Sequence, residues 1–346
     1  MPLWRPIIAT GTQRFYYPFA RFIAENFQWA FGRTLTRPLM RALIRALIRA
    51  LIRALIRAFT TFLILVLLMT SQAAVAASIK DKWQALSRED KLHYTNIAGM
   101  VAIGAWGVTH WDYGQRSPHL KSEGWFGEGT TSGGVDKLGH LYTGYVSTRA
   151  LTPLLQSWGF PQPQALRYAA LSSFTLFSFM ELGDAFSATY GFSYEDFLMN
   201  GLGSYVGYLF ESRPNLAKKF DLRIEYQPGS GGDVDIFTDY EHTKYLVAMK
   251  LDGFDTLIDY PYLRYLEFHV GYYSRGFGDG FGNGFGNGFT DDFDRGFDAA
   301  IGRKKRKVYL GIGINFSAIL RRQKFNKTAT FLQYVQLPHT DLQFVL

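Results

Sequence analysis

Between Val135 and Gly207 the chain sets three polar pairs into otherwise apolar helical patterns. Asp136 and His140 lie four apart in DKLGH, Glu181 and Asp184 three apart in FMELGDAF, and Asp196 and Asn200 four apart in YEDFLMNGLG. Residues three or four apart share one face of a helix. The spacing therefore predicts three successive helices, each aiming a polar pair at a common point. An ion in an apolar helix is costly unless partnered, so each pair needs a counterpart from another helix. This requirement constrains the fold more than any other feature.

The pattern predicts helices from about Ser87 to Val108, over 136–157, over about 164–188 and over about 194–211. Ser87 and Ser193 are natural caps with an acid three residues on. Pro153 is expected to kink or shorten the second helix. Gly99, Gly104 and Gly107 in the first helix, and Gly203-x-x-x-Gly207 in the fourth, allow close helix contact. The third helix carries no charge from Ala169 to Met180 and the fourth none from Phe197 to Phe210. A surface helix in water shows a charged face, yet each run falls short of the ~20 residues of a membrane span. The expectation is a bundle of about four apolar helices, over 78–217, associated with a membrane.

After Arg223 the periodicity changes to alternation. Tyr245, Val247, Met249 and Leu251 share one face of 244–252, and Leu266, Phe268, Val270 and Tyr272 one face of 265–273. In 308–316 the apolar set is Val308, Leu310, Ile312, Ile314 and Phe316, with Glu267, His269, Gly311, Gly313 and Asn315 on the opposite face of the last two segments. Period-2 alternation predicts strands, with a short further strand at 224–226. Residues 218–346 are thus expected to form a small antiparallel sheet packed on the bundle, with a final helix at 328–336. The alternative is a sheet lying on a membrane or completed by another chain. The Gly-Phe-Gly-Asx repeat of 276–297 reads as a hairpin loop. The fold class is α+β.

Charge separates the leader from the body. Residues 1–77 carry ten Arg, no Lys and one Glu, a net +9 against +8 for the whole chain. The body is nearly neutral, which argues against nucleic-acid binding. Four RALI repeats, the apolar run Ala58–Met69 and the A-x-A at Ala74–Ala76 form a secretory signal pattern, since a basic segment, an apolar run and a small-residue cleavage site are its three parts. Met40 opens a more ordinary signal peptide, so residues 1–39 are read as a misassigned start or as a basic aromatic extension on a membrane. The protein is expected to be exported to the periplasmic side of the cell envelope, with the outer membrane preferred over the inner. The expected partners are membrane lipid and another envelope protein met through the β region.

Glu181 and His140 are the candidate catalytic pair. Asp136, Lys137, Asp184, Asp196 and Asn200 are expected to bind a ligand or complete a polar network. Asp136 doubles as a first-turn helix residue. Three chemistries fit: a structural lock, acid/base catalysis by Glu181 with His140, or a metal held by His140, Glu181, Asp184 and Asp196. No metal or cofactor is assigned. The lead expectation is a structural or binding protein, and the alternative a metal- or acid/base-dependent hydrolase acting on a lipid or envelope precursor.

DKLGH, the Glu181 helix and FSYEDFLMNGLGSYVG, in that order, resemble the predicted periplasmic lipoproteins typified by YfiM. The pattern is also similar to VanZ-like membrane proteins, through Asp136, Lys137, His140, Glu181, Asp196, Asn200 and Gly203. The resemblance covers about 80 residues and implies a helical bundle of the cell envelope without supplying a reaction. One departure matters: these 346 residues contain no cysteine, so none of them carries the lipid that the family name suggests.

Overall fold

The computed structural model describes residues 80–227, 239–257, 260–277 and 304–346. The expected leader and the Gly/Phe repeat from 278 onward lie outside these described residues. The chain divides into two compact units, Met1–Ala85 and Leu86–Leu346. The helices and strands that follow all belong to the second.

Four long helices come first: α1 (Arg88–His110), α2 (Val135–Ser157), α3 (Gln162–Asp184) and α4 (Tyr194–Ser212). Both predicted caps form. Ser87 Oγ accepts from Asp90 N at 3.0 Å and Ser193 Oγ from Asp196 N at 3.2 Å. One bound agrees with expectation and one differs. Pro153 does not shorten α2, which continues to Ser157. Helix α3 stops at Asp184 rather than 188, where the chain turns and Ser187 bridges to Tyr113.

Helices α2 and α4 meet backbone to backbone. A Cβ on Gly203 would lie 2.0 Å from the Leu141 carbonyl oxygen, and one on Gly144 2.9 Å from that of Asn200. Only glycine permits that approach. It brings the polar positions of both helices within reach of one another. Ser173 of α3 donates to the Gly144 carbonyl at 3.0 Å and so adds the third helix. Of the glycines in α1, Gly107 has the tightest contact, with the Tyr113 ring lying between it and Gly183. Leu155, Phe160, Ala165 and Ala169 close one end of the bundle.

A short helix, α5 (Pro214–Lys219), leads into β1 (Phe220–Tyr226). The remaining strands are β2 (Thr243–Lys250), β3 (Leu266–Arg275), β4 (Lys305–Ile314), β5 (Val335–Gln336) and β6 (Asp341–Val345), with α6 (Phe316–Arg322) and α7 (Asn326–Phe331) between β4 and β5. The architecture is α+β. One mostly antiparallel sheet has the order β5-β1-β2-β3-β4-β6, in which only β1 and β5 run parallel. The expected helix over 328–336 is corrected: α7 ends at Phe331, and Val335–Gln336 pairs with Ile224–Glu225 as a strand. The strand expected over 308–316 ends at Ile314, because Asn315 caps α6 through its side chain.

The sheet is curled. A flat six-stranded sheet would hold its outer strands ~24 Å apart at ~4.8 Å per strand. Yet β5 and β6 are joined by residues 337–340 alone, a reach of at most ~18 Å. Side chains meet across the curl: Lys244 of β2 donates to Gln343 of β6 at 3.0 Å, and Arg223 of β1 reaches Glu267 of β3 at 2.6 Å.

The curl also sorts the two faces in an unexpected way. Tyr245, on the apolar face, packs on Tyr142 of α2 with ring centroids 5.6 Å apart. On β3 and β4, Phe268, Val270, Val308, Leu310, Ile312 and Ile314 of that face are exposed, while Tyr272 packs on Phe126 and donates to the Gly133 carbonyl. The enclosed face is the one that carries the charges: Asp221, Arg223, Glu225, Lys244, Lys250, Glu267 and His269 are all buried there, beside the apolar cluster Leu246, Ala248, Tyr273 and Tyr309. The expectation of an apolar face packed on the bundle therefore holds only beside α2. Alternation reveals which residues share a face but not which face is enclosed.

Candidate functional site

Lys137 is the hub of the polar cluster. It lies one residue inside the first turn of α2, and its side chain is almost fully buried. Its ammonium stands 2.8 Å from Glu123 Oε2, 2.7 Å from Asp136 Oδ2, and 2.8 and 2.9 Å from the two oxygens of Asp196. Asp136 also accepts from the Ser132 hydroxyl. One cation thus serves three carboxylates from the loop before α2, from α2 and from α4.

His140 stands one turn further along α2. Its Nδ1 is 3.1 Å from Asn200 Oδ1 and 3.4 Å from Glu181 Oε1, and its Nε2 is 3.6 Å from Asp196 Oδ1. Asn200 donates to Glu181 Oε1 at 3.3 Å. Asp136, Lys137, His140, Glu181, Asp196 and Asn200 therefore converge, each from the helix its spacing implied. Asp184 does not join them. It lies beside Tyr113, whose hydroxyl donates to the Met180 carbonyl at 3.0 Å. Arg149, the other basic residue of α2 near the core, turns instead to Glu211 at 2.8 Å and the Tyr145 hydroxyl at 2.6 Å.

Burial sets the protonation of this cluster. It pushes the Glu181 carboxyl up to about 8 against the pull of His140, and Glu123 up to about 7 against Lys137. It pushes Asp184 up to about 6 against the Tyr113 hydrogen bond. For His140 burial disfavours the cation, but Asp196 and Glu181 outweigh it and raise the imidazole to about 9. Burial likewise opposes the charge on Lys137, and its carboxylates again prevail. Near neutrality the cluster holds an ammonium and an imidazolium against carboxylates, with Glu181 largely protonated. It comes close to balancing its own charge.

Among the described residues two groups of donors lie close enough together to hold a metal ion. The donors of Glu123, Asp136 and Asp196 converge within 4.8 Å, as do those of His140, Glu181 and Asp196. In the first set the Lys137 ammonium already sits where a cation would. The second set is a mixed imidazole and carboxylate donor group suited to a borderline divalent ion, provided that His140 gives up its proton.

Sequence reasoning missed Glu123, which sits in a loop without periodicity. It also missed Glu195, fully buried, which accepts from the Ser122 hydroxyl at 2.6 Å and from Gly124 N at 3.1 Å. For Glu123 the signal was an acid inside the Gly- and aromatic-rich stretch SEGWFGEG, and for Glu195 its place beside Asp196 in YEDF. The enclosed face of the sheet carries a second network. His269 Nδ1 is 2.6 Å from Asp341 Oδ2 and its Nε2 3.0 Å from Glu267 Oε1, while Lys250 donates to Asp221 at 2.7 Å.

Residues 122–212 match a family model described as Predicted periplasmic lipoprotein (DUF2279). The match covers about a quarter of the chain and takes in Glu123 together with the three helices that carry the cluster. No curated protein and no solved structure matches. The chain is thus similar to a family placed in the periplasm, in keeping with the signal pattern of its leader. Among the described residues no helix is long and apolar enough to cross a membrane.

Proposed function

We propose that the chain is an exported envelope protein that associates with a membrane through the outer surfaces of its helices. In this reading it serves as a structural or binding module, and its polar cluster locks the bundle rather than performing chemistry. The observation that carries the lock is Lys137, which meets three carboxylates at 2.7–2.9 Å. A satisfied buried network contributes specificity of packing. Membrane association rests on the exposed Val101, Leu171, Leu198 and Leu202, which a bundle facing only water would replace with charge. The order of motifs keeps its likeness to the YfiM and VanZ patterns, and the outer membrane remains the preferred site. Cell fractionation tests the reading. The protein is expected in the membrane pellet and resistant to high salt, and a freely soluble periplasmic pool would defeat it.

The second reading, a metal- or acid/base-dependent hydrolase acting on a lipid or envelope precursor, is favoured by one observation. His140, Glu181 and Asp196 bring an imidazole and two carboxylates within 4.8 Å. Metal analysis of the purified protein separates the two readings. Stoichiometric metal that is lost in both His140→Ala and Glu181→Ala would favour the hydrolase, whereas the lock predicts none.

A further inference from the structure

The curled sheet is inside-out for a protein in water. Its enclosed face surrounds a small apolar cluster of Leu246, Ala248, Tyr273 and Tyr309 with ion pairs, among them Arg223 with Glu267 at 2.6 Å and Lys250 with Asp221 at 2.7 Å. Its outer face on β4 presents Val308, Leu310, Ile312 and Ile314, all exposed and without a charge among them. Leu342 and Phe344 extend this surface onto β6, at 70% and 59% exposure. A sheet with one face in water normally turns its polar residues outward. Apolar outward and polar inward is the arrangement of sheets whose surroundings are hydrocarbon.

We propose that the outer face of β3, β4 and β6 lies in the acyl-chain layer of one membrane leaflet, with the strands running along the membrane surface. This rests on the membrane reading above and names the surface that enters the lipid. One observation chooses a leaflet over a span, and two choose lipid over a second copy of the chain. The apolar run Val308–Ile314 is ~20 Å long at ~3.4 Å per residue, short of the ~30 Å hydrocarbon core, so it suits a face laid on a leaflet rather than a span.

Exposed aromatic residues flank the face at both strand ends. Tyr260 and Tyr262 precede β3, and Trp125 and Phe126 lie at the other end, where the Phe126 carbonyl accepts from Arg306. Aromatic rings and basic side chains are the usual residents of the lipid headgroup layer. Finally, large apolar residues are also exposed on α1, α3 and α4. A docked protein would cover one patch, whereas a solvent of acyl chains accounts for all of them.

The absence of cysteine from the chain makes the test direct. Ile312→Cys and Leu342→Cys, each in the full chain, are spin-labelled and bound to vesicles of phosphatidylethanolamine and phosphatidylglycerol. Gln323→Cys, at the exposed end of α6, is the aqueous control. Collision rates with molecular oxygen and with a water-soluble nickel chelate are then measured, and vesicle flotation is recorded on the same samples. At Ile312 and Leu342 the expected result is high oxygen and low nickel accessibility, the inverse of the control. Nickel access at both positions on protein that floats would overturn this inference and leave the helical membrane reading standing. Exclusion of both reagents would mean a protein contact, such as a second copy, and would also overturn it. Protein that does not float would defeat both. If one variant fails to fold, as judged by its thermal transition, Val308→Cys reads the same face.

Discussion

Lys137 shows how much one side chain organises. Three carboxylates around a single buried ammonium are tolerable only while the ammonium is present. Lys137→Met removes the cation and keeps much of the volume, and breaking a buried ion pair costs about 3–5 kcal/mol. A loss of that order in chemical denaturation is the expected outcome. His269 gives a prediction in pH. Burial opposes its cation, but Asp341 and Glu267 hold the imidazole above its ordinary 6.5. Its stabilisation is therefore complete below 6.5 and disappears as pH rises through the raised value. Burial also opposes the Glu267 and Asp341 charges, and His269 holds both carboxyls below their ordinary 4.5 and 3.8. Their share is complete above 4.5 and fades as pH falls. The difference in Tm between wild type and His269→Asn should thus be largest between about pH 4.5 and 6.5, and it should shrink on either side.

At the scale of elements, the contact between α2 and α4 sets the site, and glycine sets the contact. Ala at position 203 would put a methyl group 2.0 Å from the Leu141 carbonyl oxygen. Overpacking of this kind costs about 1–3 kcal/mol or more, and the shift would also part Lys137 and His140 from Asp196 and Asn200. Gly129→Ala, with open space around it, should leave the thermal transition unchanged. These helices were legible because their polar pairs repeat at helical spacing within apolar runs. The strands were legible from alternation. What stayed hidden depended on tertiary partners. Val335–Gln336 sits in a stretch whose Phe331, Tyr334 and Val335 mimic helical spacing, and only pairing with β1 makes it a strand. Glu123 carries no periodic signal, and its role follows from where Lys137 ends up. The enclosure of Glu267 and His269 depends on the curl, which no single strand encodes.

For the molecule as a whole, the distribution of charge is the unusual property. Ion pairs lie within the bundle and within the sheet, while large apolar side chains populate the outside. If the outer helical surface meets lipid, the double variant Val101→Asp, Leu202→Asp should shift the protein from membrane pellet to supernatant. Its Tm should change little, because Val101 is 65% and Leu202 46% exposed and neither contributes much to the interior. A variant that stays in the pellet would show that these two positions do not anchor the protein.

The link 337–340 carries a consequence for the order of assembly. Strand β5 pairs with β1, more than a hundred residues earlier in the chain, and β6 pairs with β4 to form the last wall. Both arrive after every other strand, and a contact as distant in sequence as that of β5 with β1 forms slowly. Until then Lys244 and His269 lack Gln343 and Asp341. The sheet is therefore open while it is being made, with Lys244 still facing Glu225 and His269 still facing Glu267, and it closes only when the final strands come home. Removing residues 341–346 would hold it in that unfinished state.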